Sequence, residues 1–179
     1  MAHLTASVEY AVHSLLWLAL ADGEPRSGPD LATFQGISPS FVAKILMKLK
    51  KAGIVRSVEG LRGGYQLARD PDTLSILEIV DAVEGRKPLF DCQEVRRNCV
   101  LFGSSPPKWA TEGVCAVHVA MLKAEKAMRD SLASETLADI AQTAGRKFPT
   151  SFTEPTKRWF DDRIVARTAT RGSKSSNPA

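Results

Sequence analysis

The sequence lacks the features that mark membrane and secreted proteins. No uninterrupted apolar run approaches the roughly 20 residues that a membrane-spanning helix needs, although 44% of the 179 residues are hydrophobic. The apolar N-terminal stretch is interrupted by Glu9 and His13 and has no positive segment before it, which is unlike a secretory signal. We therefore expect a cytoplasmic protein, in which reducing conditions disfavour structural disulfides.

Motifs typical of enzymes are also missing. The chain has no phosphate-binding glycine loop, no oxyanion-hole motif and no internal repeat. Cys115 and His118 could meet on one helical turn as nucleophile and base, but nothing else in the sequence resembles a substrate site. We predict that the protein is not an enzyme.

Residues 36 to 69 contain a helix followed at once by a hairpin. Apolar residues recur there at three- and four-residue intervals: Phe41, Val42, Ile45, Leu46 and Leu49. This pattern is typical of a helix with one buried face, and Ser38 before Pro39 is a favourable helix start. Gly53 ends the helix, and two short strands then flank a flexible tip, EGLRGG, at residues 59 to 64. We predict a mainly α fold with a small β-hairpin, a winged helix-turn-helix.

Positive charge is concentrated in the same part of the chain. Residues 25 to 69 hold eight Lys or Arg and two acids, a net charge of +6, whereas residues 70 to 145 carry a net charge of −4. A solvated helix face also carries lysines, but such a local excess is typical of phosphate binding. A helix fits the major groove of DNA, and the thin tip bearing Arg62 fits the minor groove. We predict that double-stranded DNA is the partner.

We divide the whole chain into four predicted parts. Residues 1 to 85 form the winged helix-turn-helix, with helices at about 5 to 21 and 28 to 35 and a helix capped by Thr73. Residues 86 to 112 form a loop rich in Pro, Gly, Ser and charge. Residues 113 to 143 predict a long dimerisation helix that breaks near Ser134, followed by a short helix. Residues 144 to 179 are basic and poor in aliphatic side chains, so we expect a disordered tail.

All three cysteines lie in one window with the spacing C-x6-C-x15-C-x2-H: Cys92, Cys99, Cys115 and His118. Thiolates are the usual ligands of iron-sulfur clusters, and imidazole can replace one of them. Cys115 and His118 share a helical face, over which the 86 to 112 loop can fold. Zinc accepts the same ligands, although usually from closer pairs, and incidental buried cysteines are a further alternative. We predict a metal or cluster site.

Several segments together resemble the Rrf2 family of winged-helix regulators, which includes iron-sulfur, nitric-oxide and iron sensors of the IscR, NsrR and RirA types. They are VEYAVHSLLWLA, ISPSFVAKILMKLKKAGIVRSV, GGYQLAR, SILEIVDAVEG and the cysteine loop, within residues 1 to 143. The resemblance implies a homodimeric transcription factor, a repressor, bound to a near-palindromic operator. It also implies an iron-sulfur cluster that senses redox state, nitric oxide or iron; possible His and Glu ligands favour [2Fe-2S] over [4Fe-4S]. Some members lack the cluster, so the alternative is a repressor controlled by thiol oxidation or a protein partner.

The resemblance also implies metal ligands. Cys92, Cys99 and Cys115 match the three-cysteine loop, and His118 matches the fourth ligand of IscR-like members. In NsrR-like members an acidic residue from the first helix of the partner subunit completes the site, and Glu9 stands at that place. Glu9 with His13 is similar to the pattern of a redox-sensing subclass, or is a surface pair on one helix face. The interval between Cys99 and Cys115 is wider than is common, which leaves the role of Cys99 open.

For DNA contact, the resemblance points to the helix start and to the wing. Ser38 and Ser40 match residues that meet phosphate or base edges, and Lys44 follows one turn later. Glu59 stands where several relatives have arginine, so we expect minor-groove insertion by Arg62. The full predicted set is Ser38, Ser40, Lys44, Lys48, Arg62, Gly63, Gly64 and Tyr65.

Overall fold

The structure, a computed structural model, describes residues 4–172 of the chain. It begins with three helices, α1 (Ala6–Ala19), α2 (Gly28–Gln35) and α3 (Pro39–Lys51). Each helix starts at a hydroxyl side chain, because Thr5, Ser27 and Ser38 accept a hydrogen bond from a backbone N–H of the first turn. These bonds satisfy donors that have no partner inside the helix, so local sequence determines where each helix begins.

A hairpin of two short strands follows α3. β1 (Val55–Val58) pairs antiparallel with β2 (Gly64–Leu67), with Val55 opposite Leu67 and Val58 opposite Gly64. At Gly63, an added Cβ would lie 2.4 Å from the Val58 carbonyl oxygen, so the turn accepts no side chain there. This hairpin, placed after α2 and α3, is the predicted wing, and the winged helix-turn-helix fold is confirmed.

A short 3₁₀ turn (Pro71–Thr73) leads from the wing to α4 (Ile76–Glu84). Ser75, and not the predicted Thr73, caps this helix. The Ser75 side chain accepts from the Glu78 backbone N–H, and the Glu78 carboxylate accepts from the Ser75 N–H at 3.0 Å, which is a capping box. The prediction was wrong because the Thr73 hydroxyl donates instead to the Asp70 carbonyl inside the 3₁₀ turn.

The second half contains two 3₁₀ turns (Val95–Asn98 and Val100–Phe102) and the helices α5 (Lys108–Thr111), α6 (Ala116–Ser134), α7 (Leu137–Lys147) and α8 (Thr150–Gly172). The predicted break near Ser134 is confirmed, and Thr136 caps α7. The break is attached to α4, since Leu137 donates its N–H to the Leu74 carbonyl at 2.8 Å. Within residues 4–172, no helix has both the length and the hydropathy of a membrane span.

One hydrophobic core joins the first four helices to α7 and α8. Its fully buried members include Leu15, Leu31, Leu46, Leu49, Ile79 and Leu137. Phe160 of α8 belongs to the same core. We call this unit, residues 4 to 84 with α7 and α8, the reading head.

The predicted disorder of residues 144 to 179 is wrong for residues 144 to 147, which end α7, and for residues 150 to 172, which form α8. Phe160 and Ile164, one turn apart, are buried, and the Phe160 ring centroid lies 5.0 Å from that of Phe34 in α2. Arg163 and Arg167 both pair with Asp30 at the start of α2. The aromatic spacing of this segment buries enough surface to order it. Residues 173 to 179 of the predicted tail lie outside the described part of the chain.

Candidate nucleic-acid interface and cysteine loop

The N-terminal half of α3 presents a polar, exposed face. Val42 and Leu46 are buried in the head, which turns Ser38, Ser40 and Lys44 toward solvent. The Ser38 hydroxyl caps the helix by accepting from the Phe41 N–H at 3.2 Å and lies 3.2 Å from the Ser40 hydroxyl. Two hydroxyls and a lysine are thus held on a rigid helix start, where they can meet phosphate or base edges.

Two later lysines of α3, Lys48 and Lys50, form hydrogen bonds within the head. The Lys48 ammonium donates to the Val83 carbonyl at the C-terminal end of α4, where a cation also complements the helix dipole. Lys50 donates to the Ser57 hydroxyl in β1 at 2.7 Å. The predicted DNA contact of Lys48 is therefore not supported, because its charged group is used to join α3 to α4.

The wing carries its charge at its tip and its structural residues at its base. Arg62 is exposed, as is the neighbouring Leu61. At Gly64, an added Cβ would lie 2.5 Å from the Arg26 carbonyl oxygen, and Tyr65 exchanges two backbone hydrogen bonds with Arg26 at 2.8 and 3.0 Å. Gly63, Gly64 and Tyr65 thus shape and anchor the wing, and Arg62 is the exposed cation of its tip. Sequence reasoning missed Arg26, since nothing marked it among the other bases.

The cysteines lie in and next to the loop between α4 and α6. Cys92, Cys99 and Cys115 are free thiols, each half-buried. Cys99 separates the two 3₁₀ turns, and Cys115 is the residue before α6. His118 follows on the first turn of α6, and its ring centroid lies 6.1 Å from that of Phe90. The loop and the helix start therefore both carry candidate ligands.

An ion pair between Arg96 and Glu94 connects the loop to the start of α6. Arg96 donates to the Glu94 carboxylate at 2.8 Å and to the Gly113 carbonyl at 3.0 Å. The pKa of Arg96 is raised, chiefly by its hydrogen bonds to Glu94 and further by the charges of Cys115 and Cys92. The pKa of Glu94 is lowered, chiefly by Arg96 and to a smaller extent by His118. Sequence reasoning missed this pair, although two adjacent arginines between Cys92 and Cys99 were visible.

The predicted ligand set is not assembled within one chain. Residues 4–172 contain no group of three or more His, Cys, Asp or Glu placed to hold a metal ion. Glu9 and His13 are exposed one turn apart on α1, where they line an open groove with Trp17 and Phe34. Three thiols and an imidazole suit an iron-sulfur cluster in donor chemistry, but assembling them requires a rearranged loop or a second chain.

Comparison with known proteins identifies what this arrangement resembles. Residues 4–143 match the Rrf2 family, described as an iron-dependent transcriptional regulator. Protein rrf2 of Nitratidesulfovibrio vulgaris is 34% identical over 142 residues, which cover 79% of this chain and 88% of that protein. The family match ends before α8 begins.

Two solved structures have a similar fold. CymR (YrzC), the global cysteine regulator of B. subtilis, superposes with a TM-score of 0.63 at 23% identity, over 80% of this chain and 98% of CymR. T. potens IscR superposes with a TM-score of 0.61 at 24% identity, over 83% and 93% of the two chains. At these identities the likeness concerns the fold alone.

Proposed function

This chain belongs to the Rrf2 family of transcriptional regulators, and from that premise we propose a homodimeric repressor whose operator binding is controlled by its cysteine loop. The family consists of transcriptional regulators and not of enzymes, and the fold is a DNA-binding fold. The proposal rests on one observation: the start of α3 is polar and exposed, and the wing tip also presents an exposed arginine.

In the proposed complex, α3 enters the major groove and the wing lies along the minor groove. Ser38, Ser40 and Lys44 contact phosphates and base edges, and Arg62 inserts where the minor groove is narrow and its potential is negative. A dimer places two such heads about 34 Å apart when its half-sites are one helical turn apart. The operator is therefore near-palindromic.

Arg62→Ala tests the wing assignment. Loss of a minor-groove arginine is expected to weaken operator binding by about 1–3 kcal/mol at fixed salt, measured by fluorescence anisotropy. The matched control is Arg56→Ala, which removes the same charge from the exposed side of β1 and should change affinity much less. Equal effects of the two substitutions would show that Arg62 acts only through net charge.

Dimerisation is proposed through α6. No residue of this helix is buried within the chain, and its exposed apolar side chains are Val117, Val119, Met121 and Leu122. An apolar helix surface of this kind is typical of an interface, and most soluble oligomers are symmetric homodimers. Cys115 directly precedes α6, so a dimer formed through this helix would place both cysteine loops next to the interface.

For the sensory site, Cys92, Cys99 and Cys115 are the proposed ligands of an iron-sulfur cluster, favoured as [2Fe-2S]. The fourth ligand is His118, or Glu9 of the partner subunit with His13 beside it. Such a cluster, when bound, supplies a group that changes with redox state, nitric oxide or iron supply. Arg96 carries any change in the loop to the start of α6, because it binds the Gly113 carbonyl. Two states of the loop thereby change the spacing of the two heads.

The first experiment is to purify the chain without oxygen and to measure visible absorption, iron and acid-labile sulfide. Red-brown protein that loses its colour and sulfide in Cys92→Ser, but keeps both in the loop control Ser105→Ala, supports the cluster. Colourless, iron-free wild type that still binds the operator overturns the cluster proposal.

A cluster-free thiol switch is the second candidate. It is favoured by the three free, half-buried thiols, which are not grouped for a metal in the described chain. Under this alternative, a mild oxidant changes operator affinity of iron-free protein, and Cys92→Ser or Cys99→Ser removes the response. An iron-free protein whose operator affinity is the same before and after oxidation argues against it.

A further inference from the structure

Met47 is an exposed apolar residue on the face of α3 that carries the proposed DNA contacts. Its side chain is 64% exposed, and it belongs neither to the core of the described residues nor to the side chains packed against that core. At about 100° per residue around a helix, Met47 lies roughly 20° from the exposed Ser40 and about 160° from the buried Leu49. Met47 is therefore directed away from the head, along the same line as Ser40.

The neighbours of Met47 bring its side chain toward the start of α3. Side chains on a helix lean toward the N-terminus, so the surface that Met47 covers lies over the preceding turn. That turn holds Ala43, which is exposed and has only a methyl group, and residues four apart have Cβ atoms about 5–6 Å from each other. Met47 and Ala43 thus form an apolar strip, with Lys44 beside it and Ser40 before it.

This strip differs in chemistry from the rest of the exposed face. The Ser38 and Ser40 hydroxyls and the Lys44 ammonium form hydrogen bonds, whereas a thioether is only a weak acceptor. Single exposed apolar side chains are common on protein surfaces, but this one lies where α3 meets base edges in the proposed complex. In the major groove, the apolar group of a base edge is the C5-methyl group of thymine, and the other groups there are hydrogen-bond donors and acceptors. Methionine is unbranched and polarizable, so it adapts to such a target.

We propose that Met47, supported by Ala43, contacts the C5-methyl group of a thymine in the major groove of each half-site and so favours a T·A pair at that position. The inference rests on the proposed function, because it requires α3 to enter the major groove. Cytosine has no methyl group at this place and presents an amino donor instead, which the thioether does not match. Burial of one methyl group is expected to change affinity by about fourfold.

The test begins with DNA duplexes that the full chain selects from a random pool. Each thymine of the selected operator is replaced in turn, at the same position of both half-sites, by deoxyuridine, which lacks the C5-methyl group and keeps the base pairing. Fluorescence anisotropy at fixed salt measures the dissociation constant. We expect one position at which the replacement raises this constant by at least about tenfold, because two methyl contacts are lost in the dimer.

Met47→Ala identifies the side chain that makes the contact. The variant is expected to bind the thymine operator at least about tenfold more weakly and to bind the deoxyuridine operator equally well, because the contact is already lost. Met47 is exposed, so its truncation leaves the core intact. Lys44→Ala, which shortens the neighbouring exposed side chain, is the matched control and should weaken binding to both duplexes by the same factor. A deoxyuridine penalty that persists in Met47→Ala, or that Lys44→Ala removes as completely, overturns the role of Met47.

The outcomes distinguish this inference from the proposed function. If the full chain enriches no duplex from the pool, both are overturned. If it enriches an operator in which every thymine can be replaced by deoxyuridine without loss of affinity, the contact with a thymine methyl group is overturned and the proposed DNA binding stands.

Discussion

The reading head and the segment from residue 86 to 134 differ in how completely a single chain buries their apolar side chains. In the head, apolar residues from six helices form one core. In the segment, Val100 is 91% exposed, Leu101 is 87% exposed and Trp109 is 72% exposed. Ala110 is the one hydrophobic residue of that segment that is buried.

This contrast separates two kinds of stability. The head is stabilised by contacts within its own chain. Its helix starts are capped, the two strands of its wing pair with each other, and α8 packs on its core. The segment that carries the cysteines leaves large apolar side chains exposed to solvent. It also holds the Arg96–Glu94 ion pair close to the cysteines. Regions with few buried contacts open most easily, so the part of the molecule proposed to sense a signal is also the part most easily rearranged.

Phe160→Ala gives the largest expected effect, and it tests whether α8 belongs to the head. Removing a buried phenylalanine usually costs about 3–5 kcal/mol, and Phe160 is 3% exposed. Urea denaturation measures the free energy of unfolding. Val165→Ala, on an exposed residue of the same helix, is the control. Similar losses in both variants would mean that the head is complete without α8.

Leu122→Glu tests whether the exposed apolar surface of α6 forms the proposed dimer interface. Leu122 is exposed on α6, and a charge placed in a dimer interface is expected to raise the dimer dissociation constant by at least about tenfold. Sedimentation equilibrium measures that constant, and operator affinity should fall with it. Lys123→Glu introduces a glutamate at the next exposed position of α6 as the control. A dimer unchanged by Leu122→Glu places the interface elsewhere.

Asp30→Asn asks how much the polar contacts of α8 add to the head. Asp30 is buried and pairs with Arg163, at 3.4 Å, and with Arg167. Both arginines are partly exposed, so solvent screening limits the expected loss to about 1 kcal/mol. Asp162→Asn on the exposed side of α8 provides the comparison. No difference between the two variants would assign the docking of α8 to its aromatic residues alone.

The smallest effect is expected at the start of α4 and depends on pH. Hydrogen bonds from Arg69 and then from Ser75 lower the pKa of Glu78 below its ordinary value of 4.5. The stabilisation is therefore complete above pH 4.5 and is lost as pH falls through the lower pKa of the folded state. Glu78→Gln should lose less than about 1 kcal/mol at neutral pH, and nothing in strong acid. The stability of each variant is measured by thermal unfolding at several pH values. Glu112→Gln, at an exposed position, is the control. A pH-independent loss in Glu78→Gln contradicts this assignment.

Local features of the fold were predictable from the sequence. The bounds of α2 agree with the prediction, and Ser38 before Pro39 marks the start of α3 because capping needs only neighbouring residues. The hairpin likewise follows from its glycines and alternating apolar residues. Features that depend on distant partners were missed. The hydrogen bond from Lys48 to the Val83 carbonyl could not be foreseen, because the two residues are 35 positions apart in sequence.

The same distinction explains the candidate sites. The order of helix, wing and cysteines could be read from the sequence, and the exposed positions of Ser40 and Arg62 follow from helix and turn geometry. The arrangement of the cysteine loop could not, because it depends on contacts such as that of Arg96 with the Gly113 carbonyl, 17 positions away in sequence. The helix α8 was missed because Phe160 gains its stability from Phe34 and Arg26, which are remote in sequence.

The docking of α8 also sets an order in time. Asp30 and Arg167 are separated by 137 positions, and a ribosome adding about 5–20 residues per second needs roughly 7 to 27 s to cover that interval. Until then, Trp17 and Phe34 are synthesised but lack their contacts with the aromatic residues of α8. The first helices of the head are therefore made first and completed last, when the C-terminal helix packs on them.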